Sequence, residues 1–265
     1  MKPIGAIDVL YHPPQGTCIP PEETLREMDS AGVAVAFVAP CNKITCERQW
    51  ACVDTRLEDV TRFVSASVRF AGLAGYNPFD VAESLREMDE ARTLDFRGAY
   101  LDLAAFGLRL DDSRFYPLYA KACELGQPVL VQSSIAEPGL ERSIANVCRH
   151  FPELALAVAH PQPSKTLLDL CQEFDRLSLA VDAPALAWLR RTNAAAFKDT
   201  SVVERLMWGS NGHAVASSVY DATALGLPSS TLTAILRGNA LRFFEARPPE
   251  RRPSALSDEV TSAER

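Results

Sequence analysis

Eight short, near-continuous apolar runs alternate with amphipathic stretches along a chain of 265 residues. Runs of that kind suit parallel strands buried on both faces, and the stretches between them carry helical periodicity. Together with a length close to the ~250 residues of a closed barrel, they predict an α/β chain folded as a (β/α)8 TIM barrel. A single domain over residues 1–245, ending in a C-terminal helix, would be followed by a disordered tail over 246–265. Alternation does not by itself prove closure, and an open doubly wound sheet fits the same order of elements.

In chain order the expected strands are Ile4–Val9, Val33–Val38, Phe63–Val68, Gly98–Leu103, Pro128–Gln132, Leu154–His160, Leu177–Val181 and Leu206–Gly209. Pro21–Ala31 places Leu25 and Met28 on one helical face and stops at Gly32, a C-cap glycine. A longer connection over 41–60 is expected to be helical around Glu47–Val60. Ser113–Leu125 spaces Phe115, Leu118, Tyr119 and Ala122 for a helix that stops at Gly126, and Pro228–Phe244 reads as the terminal helix. Strand-then-helix units imply right-handed crossovers. Ala246–Arg265 is rich in Pro, Arg, Glu and Ser with almost no large apolar residues, a composition that cannot build a core.

The chain is 47% hydrophobic and 23% charged, enough for a sizeable core without staples. A net charge of −7 and a pI near 5.2 argue against nucleic acid or an anionic membrane as partner. No apolar run approaches the ~20 residues that span a bilayer, and Met1-Lys2-Pro3-Ile4 leads into a strand without a signal-peptide layout. The seven cysteines show no paired CxxC zinc spacing. A reduced, cytoplasmic setting is therefore expected.

The strand ends carry a resemblance. Ile7-Asp8-Val9-Leu10-Tyr11-His12, Gln132, Ala157-Val158-Ala159-His160 and Trp208-Gly209-Ser210-Asn211 resemble landmarks of the amidohydrolase-related superfamily, in the branch that includes aminocarboxymuconate semialdehyde decarboxylase. Three phrases fall in the same order: Asp111-Asp112-Ser113-Arg114-Phe115-Tyr116-Pro117, Phe151-Pro152-Glu153-Leu154 and Gly238-Asn239-Ala240-Leu241-Arg242-Phe243. The resemblance spans about residues 4–245. It implies a divalent metal held by two histidines of the first strand, one of the fifth and an aspartate of the eighth, with the sixth-strand histidine as acid/base. In this chain those positions read Leu10, His12, Gln132, Asn211 and His160. One ligand of four is inherited, fewer than the three protein ligands of a typical catalytic zinc, so neither a metal nor another cofactor is expected.

Barrel sites lie at the C-terminal ends of the strands. By that rule the mouth contains His12, Cys41, Arg69, Asp102, Gln132, Ser133, His160, Asp182, Asn211 and His213. His160 is the candidate general acid/base, since imidazole titrates near neutral pH without a metal, and His12 is the second proton-handling group. Asp182 is a candidate base or orienter; a helix N-cap ahead of Ala183-Pro184 explains it as well. Arg69 would clamp a carboxylate or form a surface ion pair. Gln132 and Asn211 would polarise a carbonyl, and His213 and Cys41 complete the substrate-binding candidates.

Three readings stay open. One is a metal-independent hydrolase or lyase, perhaps a decarboxylase, acting on a small polar or carboxylated metabolite. The second is an inactive binding subunit. The third is a metalloenzyme whose ligands are rebuilt from His12, His160, His213 and Cys41. Relatives that pair suggest a homodimer.

Overall fold

Eight parallel strands run side by side in sequence order in the computed structural model, which describes residues 5–12, 20–40, 43–44, 53–54, 57–94, 96–133, 138–159, 162–211 and 215–244. They are β1 (Ala6–Tyr11), β2 (Val33–Val38), β3 (Phe70–Gly75), β4 (Phe96–Asp102), β5 (Val129–Gln132), β6 (Leu156–Ala159), β7 (Leu177–Val181) and β8 (Leu206–Trp208). Each pairs with the next, for example Val129 with Leu156 and Leu206 with Leu179. Helices bridge successive strands, so the sheet curls towards a barrel. The last seam, β8 to β1, is held by the Asn211 amide donating to the Leu10 carbonyl at 2.9 Å.

Capping chemistry sets the helix ends. The helix Pro21–Ala31 has proline in its first turn and ends at Gly32, whose φ of 70° is the left-handed conformation that glycine takes without strain. Ser164 caps Lys165–Glu173 by accepting from the Leu167 amide at 3.2 Å. The expected Ser113–Leu125 helix opens as a 3-10 turn at Ser113–Phe115 and continues as an α-helix over Tyr116–Leu125. The terminal element runs from Ser229 to Phe243, with a π-helical stretch over Ala234–Gly238.

One strand is corrected. Phe63–Val68 lies largely in a helix, Leu57–Ala66, and the strand follows it at Phe70–Gly75. Val60 and Phe63, three apart, are buried on one face of that helix, which an apolar run alone does not distinguish from a strand. The helix expected around Glu47–Val60 begins only at Leu57 in the described residues, after a two-residue ribbon pairing Lys43–Ile44 with Val53–Asp54. The tail over 246–265 lies outside the described residues.

Two apolar layers result. The outer one packs helices on strands; the inner one fills the barrel with Ile7, Val9, Leu10, Phe37, Leu73, Tyr100, Leu130, Met207 and several alanines. Ala157, Ala159 and Ala180 leave room for the large rings opposite them. Gly98 is required by close approach: a Cβ there would stand 2.7 Å from the Pro128 carbonyl oxygen. At the N-terminal end of the barrel, Phe244 stacks on Phe37 with ring centroids 4.0 Å apart and closes the interior.

Candidate active site at the barrel mouth

The register of β1 breaks between Asp8 and Tyr11. Asp8 causes much of the local geometry. Its side chain is fully buried, and its Oδ1 accepts from the Leu10 amide at 3.1 Å and the Ser210 amide at 2.9 Å. The break turns the adjacent Val9 and Leu10 both into the inner layer, while Tyr11 points outward to bond Thr24 at 2.9 Å. His12 then returns to the inner side at the C-terminal end of the strand. Burial pushes the Asp8 carboxyl up to about 6, against the lowering effect of its bonds to Ser210 and Leu10. Among the described residues, its Oδ2 is buried without a hydrogen-bond partner.

Across the mouth, β4 and β5 bring two more polar groups to His12. The His12 Nε2 lies 3.0 Å from Gln132 Oε1 and 3.5 Å from the Tyr100 hydroxyl. The Tyr100 hydroxyl donates to the same Gln132 oxygen, and the rings of His12 and Tyr100 meet edge to face at 5.4 Å. Strand alternation explains the convergence: Tyr100 and Gln132 both point inward, and Leu130, paired with Tyr100, forms the layer beneath. With Gln132 Oε1 as acceptor, His12 carries its proton on Nε2, leaving Nδ1 as the basic nitrogen of the neutral ring.

The other described candidates are engaged by other contacts. Asp182, at the end of β7, caps the helix Ala183–Thr192 by accepting from the Ala185 amide at 2.8 Å. Asp102 likewise accepts from the Ala105 amide at 3.1 Å. Arg69 is a correction: because the strand begins at Phe70, it stands at the N-terminal end of the barrel and not at the mouth. There it donates to the Val33 and Ala34 carbonyls at 2.6 and 3.2 Å and pairs with Asp29. Asn211 does lie at the mouth, with a φ of 53°, the one described non-glycine residue in the left-handed region. Ser133 is buried and bonds the Ala159 carbonyl. Cys41, His160 and His213 lie outside the described residues. Cys148 and Cys171 are buried thiols pushed up to about 12 by desolvation, and so are poor nucleophiles.

Sequence reasoning passed over Asp8 and Tyr100. The signal for Asp8 was a lone carboxylate inside an apolar strand, which costs free energy unless hydrogen bonds compensate it. For Tyr100 it was inward alternation one strand before Gln132. The described donors at the mouth do not fit a divalent metal: Leu10 offers no donor atom, and Gln132 Oε1 is bonded to His12 and Tyr100. Among the described residues no group of three or more His, Cys, Asp or Glu side chains could hold one. No helix among them is long and apolar enough to cross a membrane.

Comparison with known proteins agrees with this architecture. An uncharacterized TIM-barrel protein from Bordetella bronchiseptica superposes with a TM-score of 0.68 at 20% identity, over 84% of this chain and 82% of that one. A 5-carboxyvanillate decarboxylase from Novosphingobium aromaticivorans, solved with manganese and 4-hydroxy-3-methoxy-5-nitrobenzoic acid, superposes at 0.60 with 19% identity over 84% and 80%. A protein assigned as a 2-pyrone-4,6-dicarboxylic acid hydrolase from Pseudomonas putida reaches 0.68 at 17% identity over 91% and 98%. No curated protein sequence matches significantly. The amidohydrolase family model matches residues 10–246, and the chain belongs to the amidohydrolase family.

Proposed function

We propose that this chain is a hydrolase or lyase acting on a small carboxylated molecule, without the divalent metal usual in its family. The observation that carries this reading is the cluster of His12, Tyr100 and Gln132 at the C-terminal mouth. It sets an imidazole, a phenol and an amide around one point, where a barrel presents its chemistry. These groups carry no negative charge, so they do not repel an incoming carboxylate. The relatives' names, a carboxyvanillate decarboxylase and a pyrone dicarboxylate hydrolase, favour substrates of the same class.

In this reading His160 is the general acid/base. It would remove a proton from an attacking water in hydrolysis, or deliver one to the carbon that loses carbon dioxide in decarboxylation. His12 binds the substrate and buffers a second proton, Gln132 and Asn211 polarise its carbonyl, and Tyr100 fixes Gln132. Asp182 and Asp102 serve as helix caps, and Arg69 anchors the opposite end. The catalytic domain is 1–245, with 246–265 as a tail, in a cytoplasmic homodimer.

The test is elemental analysis of tag-free protein, followed by turnover assays on aromatic carboxylates and pyrone dicarboxylates with and without chelator. Expected are no stoichiometric metal, turnover that survives chelation, and loss of that turnover in His160→Asn. About one tightly held zinc or manganese per chain would refute it and make His12, His160, His213 and Cys41 the ligands to replace. A second reading, a binding subunit, is favoured by Leu10, a buried apolar side chain of the inner layer at a position where the family has a metal ligand. Ligand binding without turnover would establish it.

A further inference from the structure

At the end of the barrel away from the mouth lies a second concavity of about 470 Å³, between the N-terminal ends of β4 to β8 and the terminal helix Asn239–Phe243. That volume is within the range of small-molecule sites, ~300–1,000 Å³. Barrel function is expected at the other end, and the N-terminal end ordinarily serves stability.

The lining is unlike a packing defect. Arg97 comes from the start of β4, Arg176 precedes β7, Arg205 precedes β8, and Arg242 comes from the terminal helix. Against these four guanidinium groups stand Asp175 and Glu204 in the lining and Glu153 beside it, which pairs with Arg176 at 3.5 Å, a local excess of one positive charge on a chain whose net charge is −7. Asp175 is already held by Arg205, and Arg242 is fixed by donating to Asn239 Oδ1. Asn239 is itself buried, and its amide donates to the Val203 and Leu206 carbonyls, so that guanidinium is set on a rigid base.

The second observation is Ser178. It pairs with Ala157 and shares the inward face with Ala180, so its hydroxyl points into the barrel from below. The residue is 6% exposed and lines the concavity. Other buried serines bond within the protein: Ser133 to the Ala159 carbonyl, Ser143 to Asp111 and Ser218 to the Trp208 ring nitrogen. No hydrogen bond is made by the Ser178 side chain among the described residues. The Ser178 hydroxyl therefore stands on the floor of the concavity as a donor that an oxygen of a ligand would accept from.

We propose that this N-terminal concavity binds a small multivalent anion, a di- or tricarboxylate or a phosphate. Arg97, Arg176 and Arg242 would surround the ligand and Ser178 would donate to its innermost oxygen. Guanidinium groups suit such oxygens through paired, charge-assisted bonds. The site is separate from the mouth, and a ligand there would bridge the strand starts to the helix that carries Phe244.

The test is calorimetric titration of the full chain with citrate and with inorganic phosphate, against sodium chloride at matched ionic strength. The variants are Arg97→Gln/Arg176→Gln, whose side chains are exposed and whose fold is therefore retained, Ser178→Ala, and His12→Gln at the mouth. Expected is saturable binding of at least one multivalent anion, absent with chloride. The double variant should weaken it at least about tenfold, Ser178→Ala at least about fivefold, and His12→Gln should not change it. Heats no larger than those of chloride would overturn the proposal. So would binding that survives in the arginine variant, or binding lost only in His12→Gln, which would place the anion at the mouth.

Discussion

Asp8→Asn should change how the stability of this barrel responds to pH. The Asp8 carboxyl is fully buried and raised from 3.8 to about 6, chiefly by desolvation. A carboxyl raised on folding binds its proton more tightly in the folded state. Its stabilising contribution is complete below the unfolded pKa and is lost as pH rises through the folded one. The rise from 3.8 to about 6 corresponds to about 3 kcal/mol, of which about 2 kcal/mol disappears between pH 4 and pH 7. Asparagine keeps an oxygen for the Leu10 and Ser210 amides but does not titrate. The assay is urea unfolding of both proteins at pH 4, 5, 6 and 7, followed by the fluorescence of the three tryptophans, of which Trp208 is fully buried. The difference, variant minus wild type, should move by about 2 kcal/mol in favour of the variant from pH 4 to pH 7. All other titrating groups cancel in that difference. A difference constant to within about 0.5 kcal/mol would refute the reasoning and mean that Asp8 is not charged in a desolvated seam.

Other substitutions follow from single contacts. Gly98→Ala should cost roughly 1–3 kcal/mol in chemical denaturation, because its Cβ meets the Pro128 carbonyl. Arg69→Met should cost roughly 1–3 kcal/mol by leaving the Val33 and Ala34 carbonyls unbonded, whereas Asp29→Asn, which removes only a surface pair, should cost under about 0.5 kcal/mol. Tyr100→Phe removes one of the two bonds to Gln132 Oε1. It should leave the fold within about 1.5 kcal/mol of wild type while weakening binding of a carboxylated ligand at the mouth, measured by calorimetry.

Where periodicity and local chemistry agreed, the elements were legible. Pro21–Ala31, Val33–Val38 and Leu177–Val181 lie at their expected bounds, and Gly32 and Gly126 are left-handed caps. Phe70–Gly75 was obscured because Phe-Ala-Gly-Leu-Ala-Gly is poor in strand formers. Its Gly72 is explained only by a neighbour distant in sequence, the Phe96 ring, 2.6 Å from where a Cβ would stand. That misplacement carried Arg69 to the wrong end of the barrel. His12, Gln132 and Asn211 were locatable because strand ends define the mouth, but the bonds joining His12 to Gln132 and Tyr100 depend on inward register across three strands. Asp8 was invisible for a related reason: its partner, Ser210, is 202 residues away.

That separation bears on how the molecule is made. Seven of the eight strand junctions join neighbours in the chain, so each is able to form as soon as the next strand exists, at a small loop-closure cost. The eighth joins the first strand to residues 210 and 211. During synthesis the ring therefore stays open until residues 210 and 211 have been translated, with β1 as an exposed edge and the Asp8 carboxylate able to reach water. Assembly ends with a single ring-closing step, in which that charge is withdrawn from solvent.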